Sequence, residues 1–239
     1  MWNDEAALRL SANLLFAMAA ALMLYGAAHY IVHLPAFPLR AIELTGDVVH
    51  VTHEQVEAVV EKELRGNFFT VDLERVRAAF ETLPWVRVAN VRRQWPDRLQ
   101  VAVEEHKPYA RWASTALVSA KGEVFEVAVN TSLPVLHGPD GSAPEMVSRF
   151  QEFGRLLEPT GRRIVQVALS NRRAWVLKLD NGAVLELGRD DLETRLTRFV
   201  AAYDRTVLQL PNPSTHIDLR YTNGFAVRSP GLKWDKNKT

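Results

Sequence analysis

The chain contains no cysteine. That absence excludes disulfides and thiolate chemistry, and it leaves the compartment open, because an exported protein can do without disulfides. There is no charge imbalance either. The 29 Lys and Arg against 28 Asp and Glu give a net charge of +1, so no global field argues for nucleic acid or an acidic ligand. Catalytic signatures are missing as well. No GxSxG elbow and no GxxxxGK phosphate loop occurs. "HEQVE" opens like a zinc-protease helix at His53-Glu54, but position 57 is Glu, so the second ligand is missing. His50 and His53 read as a turn-and-cap pair, and Asp190-Asp191 as complements to a helix dipole. Internal repeats and low-complexity tracts are absent. The expectation is therefore no enzyme, no cofactor and no metal, which leaves binding.

One absence is local. From Leu10 to Leu39 there is no Asp, Glu, Lys or Arg. The apolar core of that stretch, "LLFAMAAALMLYGAAHYIV", has the length of a membrane span, roughly 20 residues. A secretory signal has an apolar region of only about 7–15 residues, so the run is read as an uncleaved span although "YGAAHY" offers small residues for cleavage. Tyr25 and Tyr30 suit its interfaces. Arg9 leans toward a tail on the inside, because that rule counts Lys and Arg and gives little weight to acids. His29 and His33 are spaced i, i+4, but no third ligand is nearby, and they read as interfacial residues.

Beyond "LPAFP" the pattern changes. "LRAIELTG" reads as a short strand. "THEQVEAVVEKEL" has Thr52 and Gln55 in capping-box spacing, followed by Val56, Val59, Val60 and Leu64 on one face. "VDLERVRAAFETL" is a second helix with Asp72 as its cap. Then comes "LPWVRVANVRRQWPDRLQVAVEE", two strands joined by a turn at "WPDR". Leu99, Val101 and Val103 alternate cleanly, whereas the first arm does not, which suggests a bulge or a strand packed on both sides. Its arginines Arg87, Arg92, Arg93 and Arg98 read as a solvated face with Glu104 and Glu105 opposite, the alternative being a direct partner contact. Strand–helix–helix–strand–strand within about 70 residues is a small α+β unit.

The second half reads as β-rich with two helices. "EMVSRFQEFGRLL" places Met146, Val147, Phe150, Phe153 and Leu157 inward. "RIVQVALS", "AWVLKLD" and "AVLELG" are strands, with "DNG" as a hairpin turn between the last two. The final helix carries Leu192, Leu196, Phe199, Val200 and Tyr203, and "HIDLRYTNGFAV" closes the domain as a strand. A strand near the chain end is easily a sheet edge, a template for strand addition. Gly224 has no side chain to obstruct a neighbouring backbone, and Tyr221 and Phe225 offer aromatic anchors. The same two aromatics fit a core role equally well.

Over residues 37–112 the wording "PWV…V-R-x-W-P-x-x-L-x-V-x-V-x-E…P-x-A-R-W" resembles a POTRA domain of the FtsQ/DivIB family of bacterial cell-division proteins. "NRRAWVLKLDNGAVLELGR", "RLTRFVAAY" and "HIDLRYTNGFAV" are similar to that family's β-domain. The resemblance implies a cytoplasmic tail over 1–11, a transmembrane helix over 12–33, a POTRA domain over 37–107, a β-domain over 108–230 and a flexible tail over 231–239. It implies a bitopic inner-membrane scaffold of the division septum, with periplasmic domains, that binds FtsB and through it FtsL and helps control septal peptidoglycan synthesis. Other divisome proteins are expected at the POTRA domain and the span; nucleic acid is not. By the family's pattern the partner-binding residues are Arg220, Tyr221 and Gly224 of "RY-x-x-G", together with Arg172 and Arg173 of "RRAW". Relatives often carry a tryptophan shortly after that glycine. Ser229 and Pro230 stand there, so Phe225, or Trp234 further on, is the expected substitute. The alternative is an envelope assembly or transport chaperone. POTRA domains of that kind usually precede a long alternating barrel sequence, and none is found before Thr239.

Overall fold

The computed structural model describes residues 5–34, 37–127, 132–206 and 215–228. The chain divides into two units between Glu105 and His106. The first opens with helix α1 (Glu5–Val32). Its segment Leu8–Val32 has a mean hydropathy of 1.7, and none of it is buried. A helix of that length rises about 37 Å, enough to cross a ~30 Å hydrocarbon core.

The rest of this unit runs β1 (Ala41–Thr45), α2 (His53–Glu63), α3 (Leu73–Glu81), β2 (Val86–Gln94) and β3 (Arg98–Glu105), the expected order. β3 is central, parallel to β1 and antiparallel to β2. The helices start where side chains satisfy otherwise unpaired amides. Thr52 and Gln55 form the reciprocal capping box, and the Asp72 carboxylate accepts from the Arg75 amide at 3.1 Å. Leu99, Val101 and Val103 bury one face of β3 against Val56, Val76 and Phe80 from the helices. Each such side chain contributes about 1.5–3 kcal/mol by leaving water. The irregular first arm holds a bulge between Val86 and Val88.

The four arginines differ in their surroundings. Arg87 forks onto Glu104 at 2.9 and 2.5 Å, and Arg92 donates to Gln100 at 2.7 Å. Arg93 donates to the carbonyls of Phe68, Phe69 and Val71 at 2.7, 3.2 and 2.8 Å. Arg98 is 55% exposed and reaches Asp97 only at 4.0 Å. Glu105 does not oppose an arginine, contrary to expectation. It continues the buried register of Leu99, Val101 and Val103, and its carboxylate accepts from the amides of Val49, His50 and Val51 at 3.0, 2.8 and 2.9 Å. The His50 ring, stacked on Trp85, adds a contact of 2.9 Å.

The second unit contains β4 (Pro108–Trp112), β5 (Ala116–Ser119), β6 (Val124–Phe125), β7 (Val135–His137), α4 (Ala143–Leu157), β8 (Ile164–Leu169), β9 (Trp175–Leu179), β10 (Val184–Gly188), α5 (Leu192–Thr206), β11 (His216–Asp218) and β12 (Ala226–Arg228). The strands form one sheet in the order β12-β11-β10-β9-β8-β7-β4-β5-β6. Met146, Phe153 and Leu157 of α4 and Leu196, Phe199 and Tyr203 of α5 pack on Val167, Leu177, Leu185 and Ile217. The closing stretch, expected as one strand, is two short antiparallel strands, β11 and β12. Residues 219–225 join them, and Asn223-Gly224 within that loop does not take the positive φ of a tight two-residue hairpin turn. The expected tail over 231–239, with Trp234, lies outside the described residues, as do Ser229 and Pro230.

Candidate partner-binding site

Sheet register brings the sequence-predicted residues to one end of the second unit. Trp175 of β9 pairs with Gly188 of β10, Glu186 with Asp218 of β11, and Asp218 with Ala226 of β12. The turn Ser170–Ala174, the end of β10 and the loop 219–225 therefore share an end. β9 and β11 are two strand spacings apart, about 10 Å.

Arg173 sits in that turn at φ 66. Its amide donates to the Ser170 carbonyl at 2.8 Å, and its guanidinium pairs with Glu145 of α4. Arg172 beside it is exposed. Arg220 folds back on its own strand, donating to Asp218 from Nε at 2.9 Å and from Nη2 at 2.7 Å. Its Nη2 also lies 3.2 Å from Glu186, whose other oxygen is 3.0 Å from His216 Nε2. The Arg220 fork holds the Asp218 carboxyl below its usual range, and Asp218 in turn raises Arg220. Gly188 makes room for this. At φ +81, a Cβ there would lie 2.9 Å from Arg195 Nη1 and 3.1 Å from Arg220 Cγ.

The two aromatics diverge. Tyr221 is 58% exposed. Phe225 is half-buried and meets Phe199 edge-on at 6.0 Å. Between them Gly224 faces open space, with nothing within 4 Å of an added Cβ. Sequence reasoning missed Arg198 of α5, which donates to the carbonyls of Tyr221 and Thr222. It also missed Gly188, whose only signal was a glycine ending a strand.

The edge itself can be read from the pairing. The Leu219 amide bonds the Glu186 carbonyl and the Val184 amide bonds the Thr215 carbonyl, so the main-chain groups of 215, 217 and 219 face β10. Those of His216 and Asp218 then face β12, opposite Arg228 and Ala226. Val227, between these two, turns its N–H and C=O away from β11, to the outer edge of the sheet among the described residues.

A cleft of about 830 Å³ lined by Tyr109, Phe150, Arg155 and Arg162 lies at the other end of the sheet, before β8. Among the described residues no group of three or more His, Asp or Glu is placed to hold a metal ion.

Residues 37–106 match the family model described as POTRA domain, FtsQ-type, and residues 110–220 that described as Cell division protein FtsQ/DivIB, C-terminal. The chain is 45% identical to the cell division protein FtsQ of Nitrosospira multiformis, over 95% of this chain and 99% of that one. It is 41% identical to that of Burkholderia pseudomallei over the whole of both chains, and 31% identical to that of Neisseria gonorrhoeae over 95% of each. With one candidate membrane-crossing helix near its N-terminus, it fits a single-pass membrane protein. The chain belongs to the FtsQ/DivIB family of cell-division proteins.

Proposed function

We propose that the chain is a non-catalytic scaffold of the division machinery that binds FtsB, and through it FtsL, by accepting a strand of the partner on β12. Its tail lies in the cytoplasm, its span in the inner membrane and its two folded units in the periplasm at the septum, where the complex helps control peptidoglycan synthesis. The observation that carries this reading is the edge strand β12 at one limit of the nine-stranded sheet, with Val227 presenting an outward main-chain pair. Strand addition takes its affinity from such groups and its specificity from flanking side chains. Tyr221, exposed beside the edge, is the anchor; Arg220, Arg172 and Arg173 supply charge, and Gly224 and Phe225 shape the loop.

The test is a titration of the full chain in nanodiscs with the periplasmic segment of FtsB from the same organism. Val227→Pro removes the outward donor while leaving the β11 pairing intact, the position at which a strand tolerates proline. Tyr221→Ala removes the anchor. Binding by the parent and its loss in both folded variants are the expected results. Unchanged binding in Val227→Pro would place the contact elsewhere.

A further inference from the structure

The first unit carries an apolar and basic tip that its own core does not use. Trp95, in the β2–β3 turn, is 80% exposed. Arg40 and Arg98 flank it, their side chains 73% and 55% exposed and each in a long, loose contact with Asp97, at 3.7 and 4.0 Å. Phe69 and Phe37, 41% and 36% exposed, meet edge-on at 5.1 Å.

Bonding places this tip at the end of the helix that crosses the membrane. The Asn67 side-chain amide donates to the carbonyls of Val32 and Leu34 at 2.7 and 3.1 Å. These lie where α1 runs out of intrahelical donors. The Phe68 amide donates to the Phe37 carbonyl at 3.0 Å. Arg93, two residues before Trp95, ties the loop after Asn67 to β2 through its three carbonyl contacts. The Arg40 amide donates to the Asp97 carbonyl at 3.0 Å, closing the turn against the incoming chain. The register agrees: Arg98 pairs with Ala41 at the start of β1 and with Gln94 at the end of β2. The end of the sheet that receives the chain from α1 is thus the end that presents Trp95.

We infer that Trp95, with Phe37, Phe69, Arg40 and Arg98, docks into the headgroup layer of the bilayer that α1 crosses. Indole prefers that layer, where its ring is half in hydrocarbon and its N–H meets water. The arginines reach the phosphates of anionic lipid. Continuity with α1 favours lipid over a protein partner, because the loop that carries Phe69 is hydrogen-bonded to the last residues of the span. The inference rests on reading α1 as a span and is independent of what β12 binds.

The absence of cysteine gives a clean test. Trp95→Cys and Val49→Cys are made separately in the full chain, labelled with a nitroxide, and reconstituted in vesicles of phosphatidylethanolamine and phosphatidylglycerol. Val49 is as exposed as Trp95, at 79%, but its amide bonds Glu105 at the far end of β3. The label at 95 is expected to be several-fold less accessible to a water-soluble nickel chelate than the label at 49, and more accessible to oxygen. Replacing Arg40 and Arg98 by Gln should raise its nickel accessibility, with the line shape of the label at 49 reporting an intact fold. Equal nickel accessibility at the two sites would overturn the inference. So would a label at 95 shielded from both reagents, the signature of burial against protein.

Discussion

Arg198 holds the main chain of Tyr221 while leaving its ring in solvent. One guanidinium nitrogen donates to the Tyr221 carbonyl at 2.9 Å and to the Thr222 carbonyl at 2.7 Å. The loop between β11 and β12 is therefore ordered by a side chain from α5. Arg198→Ala should cost about 1 kcal/mol of stability. It should also speed hydrogen exchange across 219–225 without changing exchange in β8–β10. If the loop is part of the partner site, affinity falls with it.

Tyr221 and Phe225 should separate binding from folding. Tyr221→Ala removes an exposed ring and should shift stability by no more than about 0.5 kcal/mol. Phe225→Ala removes packing on Phe199 and should cost roughly 2 kcal/mol, less than the ~3–5 of a fully buried ring. Chemical denaturation of the two variants checks the contrast. Partner titration should show the larger specific loss in Tyr221→Ala.

Two glycines give an opposite pair. Gly188→Ala places a methyl against Arg195 and Arg220 at a left-handed φ. It should destabilise by about 1–2 kcal/mol and push Arg220 off Asp218. Gly224→Ala meets nothing and should leave the melting temperature unchanged. Any loss of partner affinity in that variant is then a contact effect, which a melting curve beside a titration resolves.

Glu105 makes the first unit sensitive to acid. Burial pushes its carboxyl up, but the His50 side chain and the amides of His50, Val51 and Val49 together outweigh burial and hold it below the usual carboxylate range. A depressed folded value means that its contribution is fully present above the unfolded value of about 4.3 and is lost as pH falls through the folded one. Glu105→Gln should cost about 1–3 kcal/mol at neutral pH and flatten the acid limb of stability. Hydrogen exchange at the amides of 49–51, from neutral pH downward, measures both.

Local chemistry was the legible part of the fold. Thr52, Gln55 and Asp72 marked helix starts because capping acts over three residues. Leu99, Val101 and Val103 marked a half-buried strand because five residues of alternation suffice. The β11–β12 hairpin was not legible as such, since three-residue strands carry too little alternation to be told from the loop between them. Residues 170–174 and 219–225 come to the same end of the sheet through pairings across β9, β10 and β11, and no local pattern encodes that. Resemblance brought Arg172 and Arg220 together; periodicity could not have. The place of Glu105 was readable, because it extends the 99–101–103 register by one step, yet charge pairing with the neighbouring arginines drew the reading away from it.

The parallel pairing of β10 with β11 has a temporal consequence. A parallel neighbour cannot be reached by a tight turn, and here the connection runs through α5. β11 can pair with β10 only after the residues between them, α5 included, have been made, and β12 has β11 as its sole strand neighbour among the described residues. As the polypeptide emerges from its N-terminus, the edge proposed to receive a partner is, among the described residues, the last piece of the sheet to be made. Under the proposed role, a chain stalled or truncated before that point would keep its apolar helix and have no edge to offer, so completion of this unit would act as a check on recruitment.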